Sequence, residues 1–172
     1  MGQFSLSKDI LDILKKATSK EISNDAMQLS LLIEDNTGLD TSETAMARFS
    51  KVDLLIFQNK YEESILLLDT LFKDYSAHSL ADEILWLRAN TLLKANRIDR
   101  AVSDLNTIVD KYASDILADD ALFLLAKVTE ENLKDKNRAM ELYRKILTDF
   151  PGSIFNAQAR IRFRELRGDY VN

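Results

Sequence analysis

The feature that most constrains this chain is an internal repeat. Residues 80–87 read LADEILWL and residues 117–124 read LADDALFL, 37 positions further along. The same shift aligns Tyr75 with Tyr112 and, after one inserted residue, with Phe150. A fixed period of this length is typical of proteins built from stacked supersecondary units. It divides the central part of the chain into three units, over 43–79, 80–116 and 117–154.

The apolar residues of each unit are spaced as in helices. In the second half of the middle unit, Ile98, Val102, Leu105 and Val109 recur at intervals of three or four, which places them on one helical face. The first half, around Trp86, is apolar on more than one face, as expected for a helix packed between neighbours. Each unit is therefore predicted to be a helix–turn–helix. The turns are expected in the short polar segments 58–60, 94–97 and 133–137.

Two segments flank the repeats. Residues 6–36 carry two helical patterns, the first marked by Ile10, Leu11 and Leu14, and are predicted to form a degenerate hairpin, with Gly38 available as a left-handed cap. Residues 155–168 are predicted to form one capping helix that Gly168 terminates. The sequence thus predicts a single all-α domain over residues 1–172, an α-solenoid of antiparallel helical hairpins.

Composition excludes several other classes of protein. Four glycines and one proline in 172 residues are too few for a β-sandwich, a barrel or a glycine-rich phosphate loop. The chain has no cysteine, which removes disulfides, thiolate nucleophiles and cysteine-based metal sites. It has no apolar run long enough for a membrane span and no signal-peptide pattern at its start. A net charge of −5 opposes binding to nucleic acid or anionic lipid.

A few polar residues could be interpreted as chemical groups. The pairs Asp82–Glu83 and Asp119–Asp120 could in principle serve acid–base chemistry or bind a cation. Both pairs open predicted helices, where negative charge interacts favourably with the helix dipole, and we favour that interpretation. His78 lies in a predicted turn, without the partners of a nucleophilic site at a diagnostic spacing. We therefore predict no catalytic residue, no cofactor and no metal site.

The repeat units resemble the tetratricopeptide repeat. That motif has a small residue followed four positions later by a large one in its second helix, and a proline at its end. The matching pairs are Ser64 and Leu68, Ala101 and Leu105, and Ala139 and Tyr143. Residues 85–92 follow the first-helix motif more loosely, and Pro151 occupies the place of the proline. The resemblance covers residues 43–168, and the long period is similar to that of bacterial outer-membrane assembly lipoproteins and Tol-Pal accessory proteins.

This resemblance implies a right-handed α-solenoid that acts as a non-enzymatic scaffold and binds a peptide or partner protein in its concave groove. Two alternatives stay open. The domain could be structural and associate with itself, or it could be the C-terminal module of a larger tetratricopeptide protein and pack on the rest of it, because residues 115–169 resemble the end of such proteins. The chain as given is expected in the cytoplasm, or in the bacterial envelope if it is a piece of an exported protein.

The resemblance places candidate contact residues on the first helix of each unit. Phe49, Trp86 and Phe123 lie 37 residues apart and would form a line along the groove, where aromatic side chains are typical binding hot spots. The same positions also suit packing in the core, and both interpretations stay open. Polar residues four or seven positions after the aromatic ones would flank the line. They are Asp53, Asn90, Lys127 and Glu130.

One basic cluster lies on the predicted capping helix. Arg160, Arg164 and Arg167 are spaced by four and three residues and therefore share a helical face. They could meet an acidic partner, a phosphate or a nucleic acid. The alternative is a solvated outer surface, which the terminal helix of a solenoid needs for solubility.

Overall fold

The computed structural model describes residues 4–16, 19–37 and 44–169. Within these ranges the regular structure is entirely helical, and each helix packs against the next one along the chain. The prediction of an all-α solenoid is confirmed. The helices are α1 (Phe4–Leu14), α2 (Lys20–Thr37), α3 (Thr44–Phe57), α4 (Tyr61–Tyr75), α5 (Ala81–Lys94), α6 (Ile98–Lys111), α7 (Ala118–Glu131), α8 (Lys136–Asp149) and α9 (Asn156–Arg167).

The sequence period appears directly in the positions of the helices. The first helices of the three hairpins, α3, α5 and α7, begin at Thr44, Ala81 and Ala118, and α9 begins at Asn156. Each hairpin lies within one of the predicted units. The small residue at the crossing of the two helices, Ser64 in α4 and its equivalents in α6 and α8, is fully buried, so the helix backbones approach closely there.

The turn inside each hairpin contains one residue in the left-handed conformation. Asn59 has φ of 58° and Asn96 has φ of 56°. After Asn59, the Lys60 N–H donates to the Leu55 carbonyl at 2.9 Å, and the same pattern follows Asn96. This is the Schellman motif, which satisfies the last carbonyls of a helix, and asparagine tolerates its left-handed position better than most residues.

The third of these turns differs from the other two and from the sequence prediction. We expect a turn over 133–137, but α8 already begins at Lys136. The Asp135 side chain accepts a hydrogen bond from the Arg138 N–H at 3.0 Å and so caps the helix start. The left-handed residue of this turn is Lys134, with φ of 58°, which is a less favourable residue type for that conformation.

The turns between repeats are also periodic. The backbone N–H groups of His78, Asp115 and Ser153 each donate to the carbonyl three residues earlier, at 3.0 Å. In addition, the His78 Nδ1 accepts a hydrogen bond from the Leu80 N–H at 3.0 Å, and the Ser153 Oγ accepts one from the Phe155 N–H at 3.1 Å. His78 and Ser153 therefore play the same role in their turns, because each side chain accepts a hydrogen bond from the backbone N–H two residues later.

The second and third repeats share a core in which α5 is central. Residues on several faces of α5 are buried, as the sequence predicts. Leu85 belongs to the cluster that continues through α6, α7 and α8, whereas Ile84 belongs to the cluster that reaches back to α1. Helix α5 also carries a buried arginine, Arg88. Arg88 donates to both carboxylate oxygens of Asp104 in α6, at 2.7 Å each, and to Asp69 of α4 at 3.0 Å.

The N-terminal hairpin is the least integrated part of the described chain. Phe4 and Leu11 of α1 join the core, but Ile10 and Leu14, which we use as markers of the first helix, are exposed. Among all pairs of consecutive helices, α2 and α3 have the least extensive contact. The predicted cap at Gly38 lies outside the described residues.

The C-terminal helix ends as predicted. Gly168 has φ of 87°, and the Asp169 N–H donates to the Arg164 carbonyl at 2.9 Å. Among the described helices, none combines the length and the apolar character that crossing a bilayer requires.

Candidate functional site

A groove of about 580 Å³ lies between α2 and the first helices of the repeats. Its volume is within the range of sites that hold small ligands or several side chains of a partner. Helix α2 forms one wall and α3 and α5 form the other, and residues at the start of α7 and just before it complete the lining. The lining residues are Asp25, Gln28, Leu29, Leu31, Leu32, Phe49, Asp53, Glu83, Trp86, Leu87, Ile116, Leu117 and Asp120.

Two members of the predicted aromatic line border this groove. Phe49 is only 4% exposed and belongs to the core cluster, while Trp86 is half-buried and packs against the neighbouring cluster. The groove and core interpretations are therefore not exclusive: the two side chains support the fold with most of their surface and present the rest to the groove. Asp53, one turn after Phe49 on α3, is also in the lining.

The third member of the line is covered by the C-terminal segment. The ring of Phe123 stacks on Phe155, with centroids 4.4 Å apart and planes 10° apart, and its edge meets Tyr143 at 6.0 Å. Phe155 comes immediately before α9. The aromatic line is thus interrupted at Phe123, because the residue just before α9, Phe155, stacks on its ring.

The other predicted polar residues lie outside the groove lining. The Asn90 side chain donates to the carbonyl of Trp86 at 2.9 Å, and Lys127 is exposed on α7. Glu130 accepts hydrogen bonds from Tyr143, at 3.0 Å, and from Arg162 of α9. Burial opposes ionisation of Glu130, but these two hydrogen bonds outweigh it and lower its pKa. Glu130 therefore fastens the capping helix in this structure.

The predicted arginine cluster is exposed on α9. Arg164 and Arg167 both form ion pairs with Asp169, which follows the helix end. The guanidinium of Arg167 also lies 5.2 Å from the centre of the Phe163 ring, in reach of a cation–π contact. Arg160 is exposed as well. These contacts fit a solvated capping face.

The acidic pairs are where the sequence predicts them, in the first turns of α5 and α7. Asp82 is buried, and burial raises its pKa, with the charge of Asp115 adding to the effect. Glu83 and Asp120, the second member of each pair, line the groove. No cluster of three or more acidic or histidine side chains with the arrangement of a metal site occurs in the described ranges.

Sequence reasoning missed the wall that α2 contributes. Asp25, Gln28, Leu29 and Leu32 occupy positions i, i+3, i+4 and i+7, which is the signal of one helical face. The repeat period does not extend to α2, so nothing in the sequence indicates which helices this face opposes. Ile116 was missed for a similar reason, because it lies in the turn before α7.

Two family models, both described as tetratricopeptide repeat, match this chain. One covers residues 49–116 and the other residues 120–153, so that together they span more than half of the chain. No curated protein matches it, and the narrower resemblance to bacterial envelope proteins stays a prediction. Tetratricopeptide repeats generally mediate protein–protein interactions and are typically non-enzymatic. With three helical hairpins in the repeat register of these models, the chain belongs to the tetratricopeptide repeat family.

Proposed function

We propose that this protein is a non-enzymatic interaction domain and that the groove between α2 and α3–α5 binds a segment of a partner protein. The observation that carries the proposal is the exposed apolar surface in the groove. Ile116 is 63% exposed and Leu29 is 44% exposed, beside the half-buried Trp86. Concave apolar surface with an aromatic anchor is typical of binding sites, and a partner would remove it from water.

Affinity capture from an extract of the source cells tests this proposal. The variant Leu29→Ser/Ile116→Ser removes the exposed apolar surface of the groove without touching fully buried residues, so we expect it to remain folded and to lose the groove partner. Phe49→Ser is a poorer choice, because that side chain is core and its loss costs about 3–5 kcal/mol.

The matched control is Ile154→Ser, which removes an isoleucine that is 85% exposed outside the groove. We expect it to retain every partner of the wild type. Circular dichroism of each variant establishes that helicity is preserved. Partners that bind both variants equally would show that the groove is not the binding surface.

A second candidate function, self-association, is favoured by one observation on α1. Leu6, Ile10 and Ile13 lie on one face of the helix and are 51%, 50% and 71% exposed. Two copies could bury these stripes against each other, because an apolar stripe is complementary to itself in a two-fold arrangement. Light scattering over a range of concentrations, with Leu6→Gln/Ile10→Gln/Ile13→Gln as the comparison, tests this candidate. A mass that stays monomeric at all concentrations rejects it.

A further inference from the structure

The charged residues that line the groove indicate the chemistry of the partner segment that it binds. This inference rests on the proposed function. Four carboxylates line the groove, each from a different helix: Asp25 of α2, Asp53 of α3, Glu83 of α5 and Asp120 of α7. Across the described residues, the lining includes no lysine, arginine or histidine. The groove therefore combines an apolar surface with negative charge on several sides.

Three of these carboxylates are not neutralised within the protein. In the part of the chain that the structure describes, Asp25, Asp53 and Asp120 form no ion pair with a cationic side chain. Exposed carboxylates such as Asp110 and Glu141 likewise form no ion pair in the described residues, but seven others have arginine partners. These paired carboxylates are Glu62, Asp69, Asp74, Asp104, Glu130, Glu165 and Asp169.

Two of the three are also held in an environment that disfavours their charge. Although Asp53 is accessible to solvent, the protein atoms around it in the groove desolvate its carboxylate and raise its pKa. Desolvation likewise raises the pKa of Asp120, and the neighbouring charge of Asp119 adds to it. A cationic group from a partner would offset this desolvation cost at both carboxylates.

We propose that the groove binds a cationic amphipathic helix of a partner protein, whose apolar side chains contact Trp86, Leu29 and Ile116 and whose lysines or arginines meet Asp25, Asp53 and Asp120. Such a helix presents an apolar stripe flanked by charge, which is the pattern that the groove complements. Phosphate-bearing partners are disfavoured, because an anion would add to the charge of four carboxylates.

The single tryptophan provides a direct measurement. Trp86 lines the groove and is the only tryptophan in the chain, so its emission reports occupancy there. The probes are three helical peptides without tryptophan, of about 18 residues or roughly five turns. All carry leucines on one face, and the opposite face carries lysine, glutamine or glutamate. We expect the Leu/Lys peptide to bind most tightly and to shift the Trp86 emission to shorter wavelength.

Charge removal at the groove is the decisive comparison. Asp53→Asn/Asp120→Asn keeps the shape of both side chains, and we expect it to weaken binding of the Leu/Lys peptide about tenfold or more. The control Asp110→Asn/Glu141→Gln removes the same charge from exposed positions outside the groove and should leave the affinity within about twofold. Both variants should remain folded, because neither removes an ion pair or an apolar contact.

The outcomes separate this inference from the function on which it rests. Equal weakening by both double variants would show general attraction to an acidic protein and would overturn the inference. So would failure of the Leu/Lys peptide to bind the wild type, or binding of the Leu/Gln or Leu/Glu peptide with equal affinity. In the last case the groove still binds apolar helices and the proposed function stands. The function itself fails if Leu29→Ser/Ile116→Ser retains all captured partners.

Discussion

Arg88 is a buried cation that contacts carboxylates of both the first and the second repeat. Its guanidinium bridges Asp69 of α4 and Asp104 of α6 and lies 5.0 Å from the centre of the Phe72 ring. Burial opposes its charge, but Asp104 and Asp69 outweigh burial, and the pKa of Arg88 is raised. We expect Arg88→Ala to lower the free energy of unfolding by about 3–5 kcal/mol, because it leaves Asp104 buried without a partner. Urea unfolding measures this loss.

The control for that measurement is Arg97→Ala. Arg97 pairs with Glu62 at 2.9 Å, but both side chains are largely exposed, so we expect a loss of about 1 kcal/mol or less. The double variant Arg88→Met/Asp104→Leu should recover much of the stability lost in Arg88→Ala, because it removes the stranded charge. If Arg88→Ala is no more destabilising than Arg97→Ala, the buried ion pair between Arg88 and Asp104 does not supply the expected stability.

Glu130 makes the attachment of α9 sensitive to pH. Its pKa is lowered in the folded protein, so its ionised form favours folding. This stabilisation is complete above the ordinary value of 4.5 and is lost as the pH falls through the lower folded pKa. We expect Glu130→Gln to lower the free energy of unfolding by about 1 kcal/mol at pH 7, and the difference from wild type to shrink below pH 4.5. Thermal unfolding at several pH values measures it.

Glu141→Gln is a suitable comparison, since Glu141 is exposed on α8 outside this hydrogen-bonded group. We expect it to behave as the wild type at every pH. A destabilisation by Glu130→Gln that persists unchanged at low pH would mean that shape, rather than charge, is what Glu130 contributes.

Among the elements, the turn between α7 and α8 is the one that departs from the repeat. Lys134 holds the left-handed position that asparagine holds in the other two hairpins. A side chain with a Cβ costs about 1 kcal/mol or more there, and glycine relieves this cost. We expect Lys134→Gly to raise the free energy of unfolding by about 0.5–1 kcal/mol. Chemical unfolding measures the gain, and Lys136→Gly, in the first turn of α8, should instead be destabilising. No gain at Lys134 would contradict this account of the turn.

At the scale of the whole molecule, stability is expected to be uneven along the solenoid. A repeat protein is stabilised by contacts between adjacent units. The contact between α2 and α3 is the least extensive among consecutive helices. We expect backbone amides of α1 and α2 to exchange with solvent much faster than those of α5 to α8. Hydrogen exchange followed by mass spectrometry measures this. Saturation with the Leu/Lys peptide should slow exchange in α2, because α2 is one wall of the groove. Equal protection along the chain would reject the prediction.

Much of the repeat architecture could be predicted from particular residues. The 37-residue shift, with one inserted residue in the last unit, places Ser64, Ala101 and Ala139 at helix crossings, and all three are buried. Gly168 predicts the end of α9 because only a residue free of Cβ takes its left-handed conformation without cost. Local preference was insufficient at Asp135, where a capping side chain starts α8 earlier than the polar run suggests.

The candidate site could be predicted only in part. Phe49, Asp53 and Trp86 were placed near one another because they follow the helical and repeat periods, and they do line the groove. Phe123 follows the same periods, yet Phe155 covers it. Whether a side chain on these helices faces the groove depends on the rotation of its helix about its own axis. The repeat period does not determine that rotation closely enough to place Asn90, Lys127 and Glu130.

The sequence by itself determined that this chain is helical, that its hairpins repeat and that it belongs with the tetratricopeptide proteins, because these properties depend on local spacing and on contacts that recur with a fixed period. Only the tertiary structure decided where the groove lies and which charges surround it. The groove exists because α2 lies opposite α3 and α5 without closing on them. That arrangement is set by contacts between segments far apart in the chain, which no local pattern encodes.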